Sequence, residues 1–297
     1  SSARTNEFLV AAMSLVLVYF FIASARYILH LPAVSYTRPF YDPANFSWGA
    51  ISTGTSIAVL TYIGFDGIST LSEEVKNPRR NILLATVLTC LITGVLATLE
   101  VYAGQLVWPD FRSYPDVDTA ISFVAGRAGG VLLFQVVNAT LLVATIGSGM
   151  GSQLAAARLL YGMGRDNTIP RGFFGVIEAK RGVPRNNVLF TGALALVGAF
   201  LMSYQLGAEL LNFGAFIAFM GVNAAAFTHY YLRQPEKKLG NLLPPLAGFL
   251  ICLYIWLSLR TPAKMAGGLW LLVGIGYAAW KTGGFRRAIV FSEPPSD

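Results

Sequence analysis

The densest group of residues able to do chemistry is Leu60-Thr-Tyr-Ile-Gly-Phe-Asp-Gly-Ile-Ser-Thr-Leu-Ser-Glu-Glu74, where two glycines flank an aromatic ring and an aspartate in an otherwise apolar run. Gly64 and Gly67 each weaken a helix by about 1 kcal/mol relative to alanine. An aspartate at mid-membrane costs roughly 2.5 to 3.5 kcal/mol on insertion scales. A break compensates. Unwinding at about Ile63 to Phe65 lets Asp66 cap a second half-helix by accepting from the amides near Ile68 and Ser69. The carbonyls freed by the break become ligands, and broken helices facing a cavity are how secondary transporters build substrate sites. The same residues also read as a kinked packing helix with a capped turn.

Other chemistry is sparse. Cys90 and Cys252 lie inside apolar runs, and His30 and His229 stand far apart, so neither pair forms a disulfide framework, a metal site or a triad. No phosphate-binding loop or dinucleotide fingerprint occurs, which argues against an ATP-driven pump or an oxidoreductase; with no metal or nucleophile cluster at any expected cavity, an enzyme is not expected, nor is a cofactor. Energy, if any is needed, comes from an ion gradient or from exchange. Asn138, Thr145, Ser148, Gly149 and Ser152 recur on one helical face. That stripe lines a path or lets helices approach closely; packing is the better reading for Gly149 and Ser152, while Asn138 and Thr145 stay open between the two. Asn223 reads as structural hydrogen bonding or as lining. Glu73, Glu74, Lys76, Arg79 and Arg80, with Arg158 and Arg165, form either an ion-paired gate or a solvated rim worth under about 1 kcal/mol per pair.

The elements that position these residues follow from hydropathy. Of 297 residues, 55% are hydrophobic and 12% charged, and mean hydropathy is +0.57, against roughly a quarter charged in soluble domains. Eight apolar runs approach or exceed the roughly 20 residues that cross a bilayer: 8–29, 48–71, 82–107, 130–161, 188–204, 206–232, 243–259 and 265–280. Strand alternation is absent, so they read as transmembrane helices rather than a barrel. Sixteen Lys and Arg fall on one set of loop ends and six on the other, which places the richer side, with both termini, in the cytoplasm. The net charge of +7 is explained by this topology without nucleic acid. The expected setting is an integral multi-pass protein of the cell membrane, plasma or inner, surrounded by lipid. The linker 165–187, with the apolar patch Phe173-Phe-Gly-Val-Ile177, is expected at the membrane surface. The loops 31–47 and 109–127 carry no recognisable motif, and the tail from about 286 to 297 is expected to be disordered. Ser1 stands just ahead of a span with no Met before it, which suggests truncation.

Tyr62-Ile-Gly-Phe-Asp66 followed by Glu73-Glu-Val-Lys-Asn-Pro-Arg-Arg-Asn-Ile82 resembles the sixth helix and following loop of the amino acid, polyamine and organocation permease superfamily, especially its cationic amino acid transporter branch. Ala157-Arg-Leu-Leu-Tyr-Gly-Met-Gly-Arg-Asp166 with Ile169-Pro170 is similar to its eighth helix, and Asn212 to Asn223 to its tenth. The resemblance covers essentially the whole chain. It implies an all-α polytopic transmembrane helical bundle of the inverted-repeat, five-plus-five secondary-transporter fold, truncated here to eight transmembrane helices, numbers five to twelve. The implied function is uptake or exchange of amino acids or related organic amines by alternating access; a non-transporting sensor or scaffold of the same fold is the alternative.

Carried over residue by residue, the carbonyls of Leu60, Thr61 and Ile63 would hold the substrate ammonium within the stretch Leu60, Thr61, Tyr62, Ile63, Gly64, Phe65 and Asp66. Phe65 would lie over the substrate as a lid, although a packing aromatic reads equally well. The carboxylate half of the site would belong to a first helix outside this chain, so the chain alone is expected to be inactive. Met13 stands where proton-using members carry a lysine in helix five, and Leu83 stands where the family has proline. Exchange, facilitated uptake or coupling through another group therefore remain, with the coupling ion a proton or none and Asp66 either a carrier or a cap. Cationic and neutral substrates both fit the branch; the lack of an acidic pocket residue besides Asp66 leans towards neutral ones.

Overall fold

The computed structural model describes residues 2–71, 75–178, 180 and 182–286. Among them there is no strand, only an isolated bridge between Glu178 and Val183. The helices are α1 (Ser2–Leu29), α2 (Trp48–Ala58), α3 (Pro78–Val107), α4 (Ala120–Arg165), the single turn α5 (Arg171–Phe174), α6 (Arg185–Leu201), α7 (Tyr204–Phe227), α8 (Leu239–Ser258) and α9 (Thr261–Lys281). Among the described residues five helices are long and apolar enough to cross a membrane: α1, α3, α4, α7 with its extension to Leu232, and α8. Of the other expected spans, α6 has 17 residues, α2 stops after 11 because its run breaks, and α9 is not among the five. Large apolar side chains such as Phe8, Leu15, Leu91, Val101 and Leu250 stand exposed on these helices, a surface suited to lipid rather than water. The protein is an all-α integral membrane protein.

The chain divides into two compact units, 1–138 with 204–267 and 139–203 with 268–297. In the first, Phe20, Ala23 and Ile28 of α1, Leu106 and Val107 of α3, and Val124, Ala125, Leu133 and Val137 of α4 make one buried cluster. Arg127 closes its end, with its guanidinium 4.8 Å from the Trp108 ring and Nε donating to the Tyr27 hydroxyl at 2.9 Å. A second group of contacts fixes α2 against α7 and α8. The Asn212 amide donates to the Ser56 carbonyl at 2.8 Å, Ser52 pairs with the Tyr254 hydroxyl, and the Phe213 and Trp256 rings meet at 5.3 Å. Lipid offers no hydrophobic gain for bringing helices together, so such packing and hydrogen bonds hold them. The Glu209 carboxylate, fully buried, accepts from Arg260 at 2.7 Å; that bond raises the pKa of the guanidinium above its ordinary value. Beyond Phe227 the helix widens into a π turn, Thr228–Leu232. The Lys237 ammonium takes the carbonyls of Tyr231 and Leu232, each at 2.7 Å, so the widened turn ends with its acceptors satisfied.

In the second unit, buried Asn187 ties α6 to the end of α4 and to α5, donating to the carbonyls of Ala157 at 3.2 Å and Phe174 at 2.9 Å. Gln153 donates to the Val188 carbonyl at 3.0 Å. Phe173 and Phe174 of the expected surface patch turn onto Phe190, while Val176 and Ile177 stay exposed. Arg165 pairs with its neighbour Asp166 at 3.0 Å; Glu73 and Glu74, read with it as either a gate or a solvated rim, lie outside the described residues.

Two elements begin earlier than the apolar runs. The stretch 109–127, expected as loop, is helical from Ala120. Asp116 starts it, accepting from the Thr119 hydroxyl at 2.7 Å and the Asp118 amide at 3.2 Å, and Gly130, at φ 73° and ψ −168°, then breaks its course where the expected span begins. Helix α3 starts at Pro78 rather than near residue 82, because proline at the first helical position needs no N–H partner.

Candidate functional site

The run from Trp48 is interrupted by its own backbone. Ser47 caps α2, accepting from the Ala50 amide at 3.3 Å. After Ala58 the ladder tightens to a 3-10 segment, Val59–Tyr62, closed by the Ile63 amide on the Leu60 carbonyl at 3.1 Å. Ile63 then turns extended (φ −61°, ψ 127°), and Gly64 takes φ 115°. A second 3-10 segment, Phe65–Leu71, follows, with the Gly67 amide on the Gly64 carbonyl at 3.1 Å. The interruption thus falls on Ile63 and Gly64, inside the window read from the glycine spacing. The second segment is 3-10 rather than an α half-helix, and Asp66 stands in its first turn. Gly64 precedes it, because glycine adopts this positive φ at little cost.

Five of the expected residues, Thr61, Tyr62, Ile63, Gly64 and Phe65, line one cavity of about 210 Å³ together with Ile68 and, across from them, Thr89, Cys90 and Thr93 of α3. Leu60 and Asp66 do not line it. The Leu60 carbonyl already accepts from Ile63 and keeps one lone pair. Tyr62 reaches across to α3, where a side chain at Gly94 would collide with its phenol, so the close approach requires glycine there. A larger cleft of about 660 Å³ runs from Thr61 and Tyr62 along α3 to the segment 38–47.

The Phe65 ring rests on Phe219 of α7, centroids 5.3 Å apart and planes 35° apart. Phe219 is in turn edge-on to Phe216 at 6.1 Å. Asn138 stands elsewhere in the first unit: its Oδ1 accepts from the Ser122 hydroxyl at 2.8 Å and its Nδ2 donates to the Phe134 carbonyl at 2.9 Å. Thr145 belongs to the second unit. Asn223 donates to the Phe219 carbonyl at 2.9 Å and lies against Gly248 of α8, a structural contact.

Sequence reasoning missed Thr89, Cys90 and Thr93. The signal was present as two threonines one turn apart beside Gly94, a small polar face in a helix rich in Leu, Ile and Val. No cluster of metal-ligating side chains occurs among the described residues. What the arrangement offers is an interrupted helix whose carbonyl end and aromatic ring open on a small cavity carrying hydroxyls and, among the described residues, no charged side chain. Carbonyl ends attract cations.

A family profile described as amino acid permease matches residues 1–280. The chain is 34% identical over 264 residues to the low-affinity putrescine importer PlaP of Escherichia coli, covering 85% of this chain and 57% of that protein. It is 31% identical over 261 residues to the branched-chain amino acid permease BcaP of Lactococcus lactis, covering 80% and 53%. With the vacuolar cationic amino acid transporter 4 of Arabidopsis thaliana it shares 31% over 188 residues, 63% of this chain and 31% of the plant protein. The chain therefore spans a little over half the length of these two bacterial relatives.

Proposed function

The chain belongs to the amino acid permease family, and on that premise we propose that it forms the part of a secondary transporter, from helix five onward, that carries the amino-group half of the substrate site. The substrates are amino acids or related organic amines, moved by alternating access. The observation that carries this reading is the interruption at Ile63 and Gly64, opening on a cavity that also takes Phe65. The carbonyls of Leu60, Thr61 and Ile63 hold the ammonium, Phe65 adds its ring face, and a first helix outside the chain holds the carboxylate. The eight apolar runs cross the membrane with both termini in the cytoplasm, as the distribution of Lys and Arg supports. Asn138 acts as a packing residue, as its two hydrogen bonds support.

The test is uptake of labelled amino acids and polyamines into liposomes holding the complete permease, with and without a proton or sodium gradient. Saturable uptake is expected, and its gradient dependence identifies the coupling ion. Phe65→Ala is expected to raise KM about 2- to 30-fold, the loss of a cation–π contact worth roughly 0.5 to 2 kcal/mol. Phe219→Ala, which removes only the ring behind it, is expected to have the smaller effect. Folded protein that takes up none of these compounds would favour a sensor that binds without moving its ligand.

A further inference from the structure

We propose that Thr89 and Thr93 of α3 form the wall that reads the far end of the substrate, favouring an amine whose tail bears a second hydrogen-bonding group such as a hydroxyl, an amide or another amine. This rests on the function proposed above, and it assigns a contact to a helix from which the sequence reading expected none.

Hydroxyls inside an apolar helix commonly turn back to the carbonyl four residues earlier, because lipid offers no other partner. This chain shows the pattern repeatedly: Ser14 on Val10 at 2.8 Å, Thr98 on Gly94 at 2.7 Å, Thr191 on Asn187 at 2.9 Å and Ser258 on Tyr254 at 2.8 Å. The three threonines around the small cavity, Thr61, Thr89 and Thr93, make no such bond among the described residues. Thr89 and Thr93 sit one turn apart on α3, and Thr61 sits in the last turn before the interruption. Three threonines whose hydroxyls are not tied to the backbone therefore line the space onto which the interrupted carbonyl ladder opens.

A hydroxyl both donates and accepts, so the pair can satisfy either polarity in a tail. Among the described residues the cavity lining carries no charged side chain, which disfavours a tail that needs a counter-ion of its own. Its volume of about 210 Å³, the share of about seven liquid waters, suits a short aliphatic tail. Polar groups placed to bond a substrate discriminate against an analogue lacking the bond more strongly than an apolar wall does, because the analogue leaves them unpaired.

The experiment uses matched pairs in the complete permease: threonine against valine if it carries amino acids, 1,4-diaminobutane against 1-aminobutane if it carries amines. In the double variant Thr89→Val and Thr93→Val, KM for the polar member is expected to rise about 5- to 10-fold, the value of one hydrogen bond. KM for the apolar member is expected to stay within about twofold. The double variant Thr89→Ser and Thr93→Ser, which keeps both hydroxyls, should restore the difference, and Thr191→Val should leave both values alone. An equal rise for both members, or no rise for either, would overturn the wall. No uptake of any substrate by the unmodified permease would instead defeat the transport proposal on which the wall depends.

Discussion

Gly64→Ala in the complete permease should cut uptake by about 5- to 150-fold while leaving the protein inserted in the membrane. Gly64 has φ 115° and an open surround, with nothing within 4 Å of the position a Cβ would take. Crowding therefore plays no part, and the effect arises in the backbone. A non-glycine residue held in such a region costs of order 1 to 3 kcal/mol. The cheapest relief is rotation of the Ile63–Gly64 link, which turns the carbonyls away from the cavity, and the fold-change is that strain expressed as a shift in population. Gly67 is the control: its surround is equally open and no positive φ is imposed, so Gly67→Ala should change uptake by no more than about twofold. Equal effects at the two positions would mean that the conformation at Gly64 does not set the site.

Arg260→Ala should lower the stability of the permease towards denaturant in detergent by about 2 to 3 kcal/mol. Glu209 has a fully buried side chain, and its Oε1 meets Arg260 at 2.7 Å. Its Oε2 has no hydrogen-bond partner among the described residues. Removing the cation would leave a buried carboxylate without compensation, which costs roughly 3 to 5 kcal/mol for a fully buried pair. The Arg260 side chain is 37% exposed, so water screens part of that cost and the expected loss is smaller. Glu209→Gln, which keeps an acceptor for Arg260 and removes the charge, should cost about 1 kcal/mol or less. If Arg260→Ala and Glu209→Gln proved equally mild, the pair would be a surface contact rather than a tie between α7 and the start of α9.

The interruption was legible because two glycines and an aspartate cannot sit comfortably in an uninterrupted membrane helix, and their spacing located the fault to within a residue or two. That the segment after it is 3-10 was not legible, since no local pattern separates a 3-10 turn from an α turn, and the contact of Phe65 with Phe219 joins distant parts of the chain. The membrane character of α1, α3, α4, α7 and α8 was written in length and hydropathy. The early part of α4 was hidden because Ala120 to Gly129, though mostly apolar, is too short to cross a bilayer by itself and is divided from the longer run by Gly129 and Gly130. The partnership of Glu209 with Arg260 crosses 51 positions, and no local pattern announces a pair at that range. Thr89 and Thr93 could have been noticed by their spacing, but only the cavity shows that their hydroxyls share a space with the break.

The central claim is that substrate occupies the cavity at the interruption, and Cys90, which lines it, reports on that directly. The measurement is the rate of maleimide labelling in a complete permease whose only cysteine is Cys90, with Cys252→Ser, as a function of substrate concentration. The account predicts that substrate slows labelling, with half-protection near the KM for uptake. A labelling rate unchanged at saturating substrate, in protein that transports normally, would contradict it.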